Sequence, residues 1–144
     1  MTPQDRARKC ADLMWAKDRA SQSLGMRIDA IGPGTATLSM PVRDDMLNGH
    51  GTCHGGMIFT LADSAFAFAC NSYNAVTVAQ SNQITYIAPG PAGDTLTATA
   101  TETARQGRSG TYDVVVRTHD GQQIALFRGL SRTVRGQHFD EDDT

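Results

Sequence analysis

The chain has 144 residues, 40% of them apolar, and a formal net charge of −2; that is the length of one domain, with enough apolar content for a core that needs no covalent staple. Asp140, Glu141, Asp142 and Asp143 close the chain, and without them thirteen basic residues face eleven acidic ones, too small a surplus for a nucleic-acid footprint. No window reads as a membrane span, no apolar run follows the charged opening MTPQDRARKC as in a secretory signal, and Cys10, Cys53 and Cys70 make neither a disulfide framework nor a zinc set, so a cytoplasmic protein without metal is expected.

Residues 3 to 22 read as one helix, with Pro3 near its start and Ala7, Ala11, Met14, Trp15 and Ala20 at roughly helical spacing. Gly25 ends it. Residues 26–31 and 35–42 alternate around Gly32-Pro33-Gly34 and read as a hairpin. A loop over 43–54 carries Asn48, Gly49, His50 and Gly51. After Gly55-Gly56 the period changes. Met57, Ile58, Leu61, Ala62, Ala65, Phe66, Ala69 and Cys70 form a stripe so wide that the helix must be central and buried. From there the chain turns β-like, with strands over 76–87, 95–103, 110–118 and 123–134. Turns fall at Pro89-Gly90-Pro91, Gln106-Gly107 and Asp120-Gly121.

A lone apolar helix needs a sheet to wrap it. The expected class is α+β, one curled antiparallel sheet around a central helix; pattern alone leaves two-layer alternatives open. A single domain over 1–135 is expected, then an acidic tail over 136–144, solvated and disordered.

From Met46 to Gly93 there are 48 residues, and Asp63 is the only Asp, Glu, Lys or Arg among them. It sits inside the most apolar helix. An ionised carboxylate buried without partners is very costly, so Asp63 must be exposed, paired or kept for function. His54-Gly55-Gly56 marks the start of the same helix. Glycines allow close backbone approach, and the first N–H groups of a helix are free donors, which suits a polarised carbonyl. A plain loop-to-helix joint is the other reading. Asp63 lies eight residues beyond Gly55, about 12 Å along the axis. If both act on one substrate, they come from different subunits of a symmetric dimer with antiparallel central helices. Cys53 and Cys70, like Met14, Trp15, Phe59, Phe66 and Phe68, read mostly as packing, and His50 as a solvated loop histidine.

The stretch MLNGHGTCHGGMIFTLADSAFAFACN, with ITYIAPGPAGDTLTATA and ALFRGLSRTV, resembles the phenylacetate-pathway (PaaI-type) branch of the hot-dog thioesterases over about residues 10–135. The resemblance implies the hot-dog fold and hydrolysis of an acyl-CoA thioester. The acyl group would be of arylacetyl type, such as phenylacetyl or a ring-hydroxylated form. Water would be the only co-substrate, with no cofactor, and the assembly a homodimer with shared sites, paired into a dimer of dimers. By position, Gly55 and Gly56 N–H groups would polarise the thioester carbonyl. Asp63 of the other subunit would be general base or nucleophile. Asn48 would position water or the thioester, and His54 would orient the loop. Some relatives add a strand hydroxyl where Ala79 stands here, with Ser81 close by. Arg108, Arg128 and Arg132 are candidates for the CoA phosphates, because a guanidinium suits bidentate phosphate contact. A hydratase or dehydratase of the same fold and a non-catalytic acyl-CoA-binding module are the rival readings.

Overall fold

A computed structural model describes residues 1–141. The helix that organises it, α3, spans Gly55–Cys70, and Ile58, Leu61, Ala62, Ala65, Phe66, Phe68 and Ala69 on it are all buried. Six strands curl around it: β1 (Arg27–Gly32), β2 (Thr35–Pro41), β3 (Thr77–Tyr86), β4 (Thr95–Gln106), β5 (Ser109–Arg117) and β6 (Gln123–Thr133). Their order is β1-β2-β4-β5-β6-β3, every pair antiparallel, and the sheet stays open at β1 and β3. Period-two alternation gives the sheet two faces. Leu38, Met40, Leu96, Ala98, Ala100, Val114, Val116 and Phe127 are buried in the core with α3, whereas Thr97, Thr99, Val115, Leu126 and Arg128 take the other side. The expected helix-in-sheet architecture and all six expected strands form. Among the described residues no helix is long and apolar enough to cross a membrane.

Two expectations need correction. The N-terminal helix is not continuous over 3–22. It divides into α1 (Pro3–Trp15) and α2 (Arg19–Ser23). Asp18 is the reason: its carboxylate accepts from Ser21 N–H at 2.9 Å and from the Ser21 hydroxyl at 2.7 Å, so it caps a new helix. Ser21 Oγ also lies 2.8 Å from Ser64 Oγ, which ties α2 to the central helix. The tail also departs from its expected course. Through Glu141 it packs back on the body: Asn74 Oδ1 accepts from His138 and Phe139 N–H, and Arg6 meets Glu141 at 2.6 Å. Backbone hydrogen bonds and one ion pair outweigh the composition there; the expectation for 142–144 lies outside the described residues.

The end of α3 is tied to the sheet by one side chain. Asn71 donates to the Ala67 and Thr77 carbonyls at 2.9 and 3.0 Å and accepts from Thr77 N–H at 2.9 Å. From this anchor β3 runs along β6 as an edge strand, with a bulge between Ala79 and Ser81. The extra residue resets which side chains face inward. Ala79 pairs with buried Ser131 and Asn82 with buried Gly129, both toward α3, while Ser81 pairs with exposed Leu130 on the outer face.

At Gly129 the sheet comes close to the helix. A Cβ there would stand 2.8 Å from three atoms of the Phe66 ring, and that ring is itself enclosed by Tyr112 and Phe127. Gly129→Ala is therefore expected to destabilise the fold by about 1–3 kcal/mol, the usual scale of core overpacking. Urea unfolding checks this; an unchanged midpoint would show that the ring has room to move.

Candidate functional site

The helix start is built by its loop. His54 caps α3, and its Nδ1 accepts from Gly56 N–H at 2.9 Å. This corrects the expectation of two free glycine donors. Gly56 N–H is occupied by the imidazole, and Gly55 N–H is the one with no partner among the described residues. His54 thus holds the turn at the helix start in place. Tyr86, exposed at the far end of β3, donates to the Gly55 carbonyl at 2.7 Å and braces the turn from the sheet. Asn48 is engaged elsewhere: its Oδ1 accepts from His50 N–H and Thr52 N–H at 2.9 and 3.2 Å, so it shapes the 48–52 turn. One backbone donor at the N-terminal end of a long helix, where the dipole is positive, is suited to an oxygen that gains negative charge.

Asp63 sits two turns further along, half-buried. Its Oδ1 accepts from Asn82 Nδ2 at 3.0 Å. Burial pushes its carboxyl above the ordinary carboxylate range; the Asn82 hydrogen bond acts against that rise and the Asp18 charge adds to it. A cavity of about 380 Å³ opens beside it, lined by Asp63, Phe66, Ala67, Cys70, Ala79 and others. A raised carboxylate at the edge of an apolar cavity is a stronger base than one in water. Asn82 is the residue that sequence reading missed. Its own Oδ1 is buried with no partner among the described residues, an acceptor left open next to the carboxylate. A polar residue in a strand is unremarkable in sequence, and only the β3 bulge turns it toward Asp63.

The remaining candidates separate. Ser81 lies on the outer face, across the sheet from Asp63, and its hydroxyl does not meet the carboxylate. Arg128 is held by Asp113 in an exposed two-point pair at 2.8 and 2.9 Å. Arg108 and Arg132 are exposed and have no acidic partner among the described residues. Cys53 and Cys70 are buried, and burial pushes the Cys70 thiol up to about 12, which makes it a packing group. Within one chain, then, Asp63, Asn82 and the cavity come together, and Gly55, Gly56 and His54 come together. The two groups stay about 12 Å apart along the helix.

Comparison with known proteins points one way. The family model described as "Thioesterase superfamily" matches residues 50–125. The acyl-coenzyme A thioesterase PaaI of Escherichia coli K12 is 43% identical over 126 residues, covering 88% of this chain and 90% of that one. The solved structure of the E. coli PaaI protein, from the phenylacetic acid degradation operon, superposes with a TM-score of 0.93 at 40% identity, over 94% of this chain and 99% of that one. A Streptococcus mutans protein solved with acetyl-CoA bound has a TM-score of 0.74 at 25% identity, over 78% of this chain and 90% of that one.

The raised carboxyl of Asp63 has a consequence for stability. The folded chain holds a proton there at pH values where the unfolded chain has released it, so stability falls as pH rises from the unfolded value through the folded one. Asp63→Asn carries no such loss. It is expected to melt higher than the wild type at pH 7, with the gap narrowing toward pH 4, about the ordinary carboxylate value. Paired thermal melts at the two pH values test this, and equal melting points at pH 7 would contradict it.

Proposed function

The chain belongs to the thioesterase superfamily, and from that premise we propose that it hydrolyses an acyl-CoA thioester, with an arylacetyl-type acyl group and water as the only co-substrate. The observation that carries the reading is Asp63: the one charged side chain in 48 residues, with its carboxyl raised, beside an apolar cavity on the helix whose start offers a free N–H. The arylacetyl preference is supported by the names that the E. coli relatives carry.

In this reading the thioester carbonyl oxygen accepts from Gly55 N–H at the start of one subunit's α3. Asp63 of the other subunit takes a proton from water as the water oxygen attacks the carbonyl carbon. The tetrahedral oxyanion is held at the helix start. It collapses, the C–S bond breaks, and the departing CoA sulfur receives the proton from Asp63. Direct attack by the Asp63 carboxylate, followed by hydrolysis of the anhydride, uses the same groups. Neither route calls for a metal or an organic cofactor. Asn82 holds the carboxylate in place through its Nδ2.

The shared site needs a dimer. β3 supports one: it is a ten-residue edge strand with Val78 and Tyr86 nearly half exposed, and an uncovered strand of that length invites pairing with a second copy. Antiparallel pairing along β3 would set two α3 helices side by side in opposite directions. Exposed Leu126 and Leu130 on the outer sheet face support a further pairing of dimers. Arg108 and Arg132 lie toward the C-terminal end of α3, the end that such a dimer brings near the partner's helix start, and they are assigned to the CoA phosphates. Three free, buried thiols suit a reducing compartment such as the cytoplasm.

Thiol release from acyl-CoAs by the wild type, set against Asp63→Asn, tests the chemistry. The amide should lower kcat by about 10²-fold or more, the scale of a lost general base, with the fold intact. A folded variant with near-normal turnover would refute the role of Asp63.

A second experiment tests the composite site. Asp63→Asn and Gly55→Val chains, each inactive, are refolded together, and mixed dimers are confirmed by mass. If each site takes its glycine from one chain and its carboxylate from the other, each mixed dimer regains one intact site, and random pairing returns about a quarter of wild-type activity. Activity that stays at the level of the separate variants would place both groups of a site in one chain.

A further inference from the structure

The tail is built into the wall of the cavity beside Asp63. Gly136 accepts from Val76 N–H at 3.1 Å. Asn74, 2% exposed, donates to the Phe139 carbonyl at 2.9 Å and accepts from the two N–H groups named above. The Phe139 ring lies under the Lys9 ammonium, 4.3 Å from its centroid. These contacts deliver His138 to a fixed place, with its Nε2 2.9 Å from Asn71 Oδ1. Asn71 uses its amide nitrogen on Ala67 and Thr77, so its oxygen is the acceptor and His138 Nε2 carries the hydrogen. The ring is thus held by a rigid partner at the end of the helix that carries Asp63. Its burial keeps the imidazole below its usual pKa and so uncharged near neutrality.

Two cavities meet at this ring. One is the 380 Å³ space beside Asp63. The other, of about 540 Å³, is bordered by Leu13, Lys17, Asp18 and Gln137. Both are lined by Met14, Val76 and His138, which therefore form the boundary between them. The first cavity alone sits near the low end of the roughly 300–1,000 Å³ of ordinary ligand pockets, and the two fused would come near the high end. Met14 belongs to α1 and Val76 to the connection into β3. His138 is the member contributed by the tail.

We propose that His138 is a specificity-determining residue that closes the far end of the acyl pocket and bars acyl groups long enough to reach the second cavity. The proposal rests on Asp63 being the catalytic carboxylate of an acyl-CoA thioesterase. A compact arylacetyl group stays on the Asp63 side of the boundary. A straight medium-length acyl chain has to cross it, and His138 stands in the way.

The test compares kcat/KM for decanoyl-CoA and phenylacetyl-CoA in the wild type, His138→Ala and His138→Gln. Truncation to alanine should fuse the cavities and raise the decanoyl-to-phenylacetyl ratio by about tenfold or more, since each newly buried methylene contributes roughly 0.8 kcal/mol, a factor of about four. The glutamine keeps an N–H donor for Asn71 and most of the bulk, so its ratio should stay near that of the wild type. A merely structural role for the tail would lower both rates and leave the ratio alone. An unchanged ratio in His138→Ala, with its melting point confirming the fold, overturns the assignment of His138 while the thioesterase reading stands. Failure of the wild type to release thiol from any acyl-CoA overturns the reading beneath it, and this proposal with it.

Discussion

A helix that is apolar over most of its circumference cannot lie on a surface, and the rest of this protein follows from covering α3. Water must be excluded from its apolar sides. A sheet can do that only by curling, and this one reaches almost round the helix from β1 through to β3. The inner faces of the strands accept this with close contacts, such as Gly129 against Phe66. At the side left open by the sheet, α1, α2 and the tail cover part of the helix, and a stripe through Gly56, Phe59, Thr60, Asp63 and Ala67 stays exposed or half-buried. Ser21 meets Ser64 there, and His138 meets Asn71.

Against that background one carboxylate is conspicuous. Placing Asp63 in the apolar helix works against stability, because the fold favours its protonated form. Asn82 offsets part of the cost with a single hydrogen bond and leaves its own carbonyl oxygen unanswered. A sequence selected for stability alone would place an alanine or leucine at residue 63. Buried charge that is only partly compensated is what an acid–base site requires, since it shifts the carboxyl toward the pH at which it must work. The same economy appears at the helix start, where His54 satisfies Gly56 and leaves Gly55 open.

Much of this was legible in the residues. The wide apolar stripe from Met57 to Cys70 identified the buried helix, and β-branched runs with glycine and proline turns located six strands, because both patterns are local consequences of period. Asp63 was visible as a lone charge, and the eight-residue interval from Gly55 already set the two about 12 Å apart along the helix, because helix rise is a constant. Other features were hidden. The break at Asp18 depends on a side-chain cap competing with continuation of the helix. The packing of the tail depends on Asn74, 62 residues before Gly136 in the chain, and no charge count shows it. The engagement of Asn48 with its own turn and of Arg128 with Asp113 was hidden as well, because the folded backbone alone brings those partners together.

The clearest division between the two levels lies in β3. By itself the sequence determined that a strand follows the central helix and that it carries Ala79, Ser81 and Asn82 in a row of polar and small residues. With simple alternation, Ala79 and Ser81 would share the inner face and Asn82 would point away. The tertiary structure decided otherwise. One bulge between Ala79 and Ser81 shifts the register against β6, which exchanges the faces of every residue beyond it. Ser81 goes to the outer face and Asn82 to Asp63. The bulge is a property of the pairing with β6 and of the packing of Gly129 against Phe66. β6 and its Gly129 lie about fifty residues further along the chain and Phe66 on the helix before β3, beyond the reach of any pattern local to the strand.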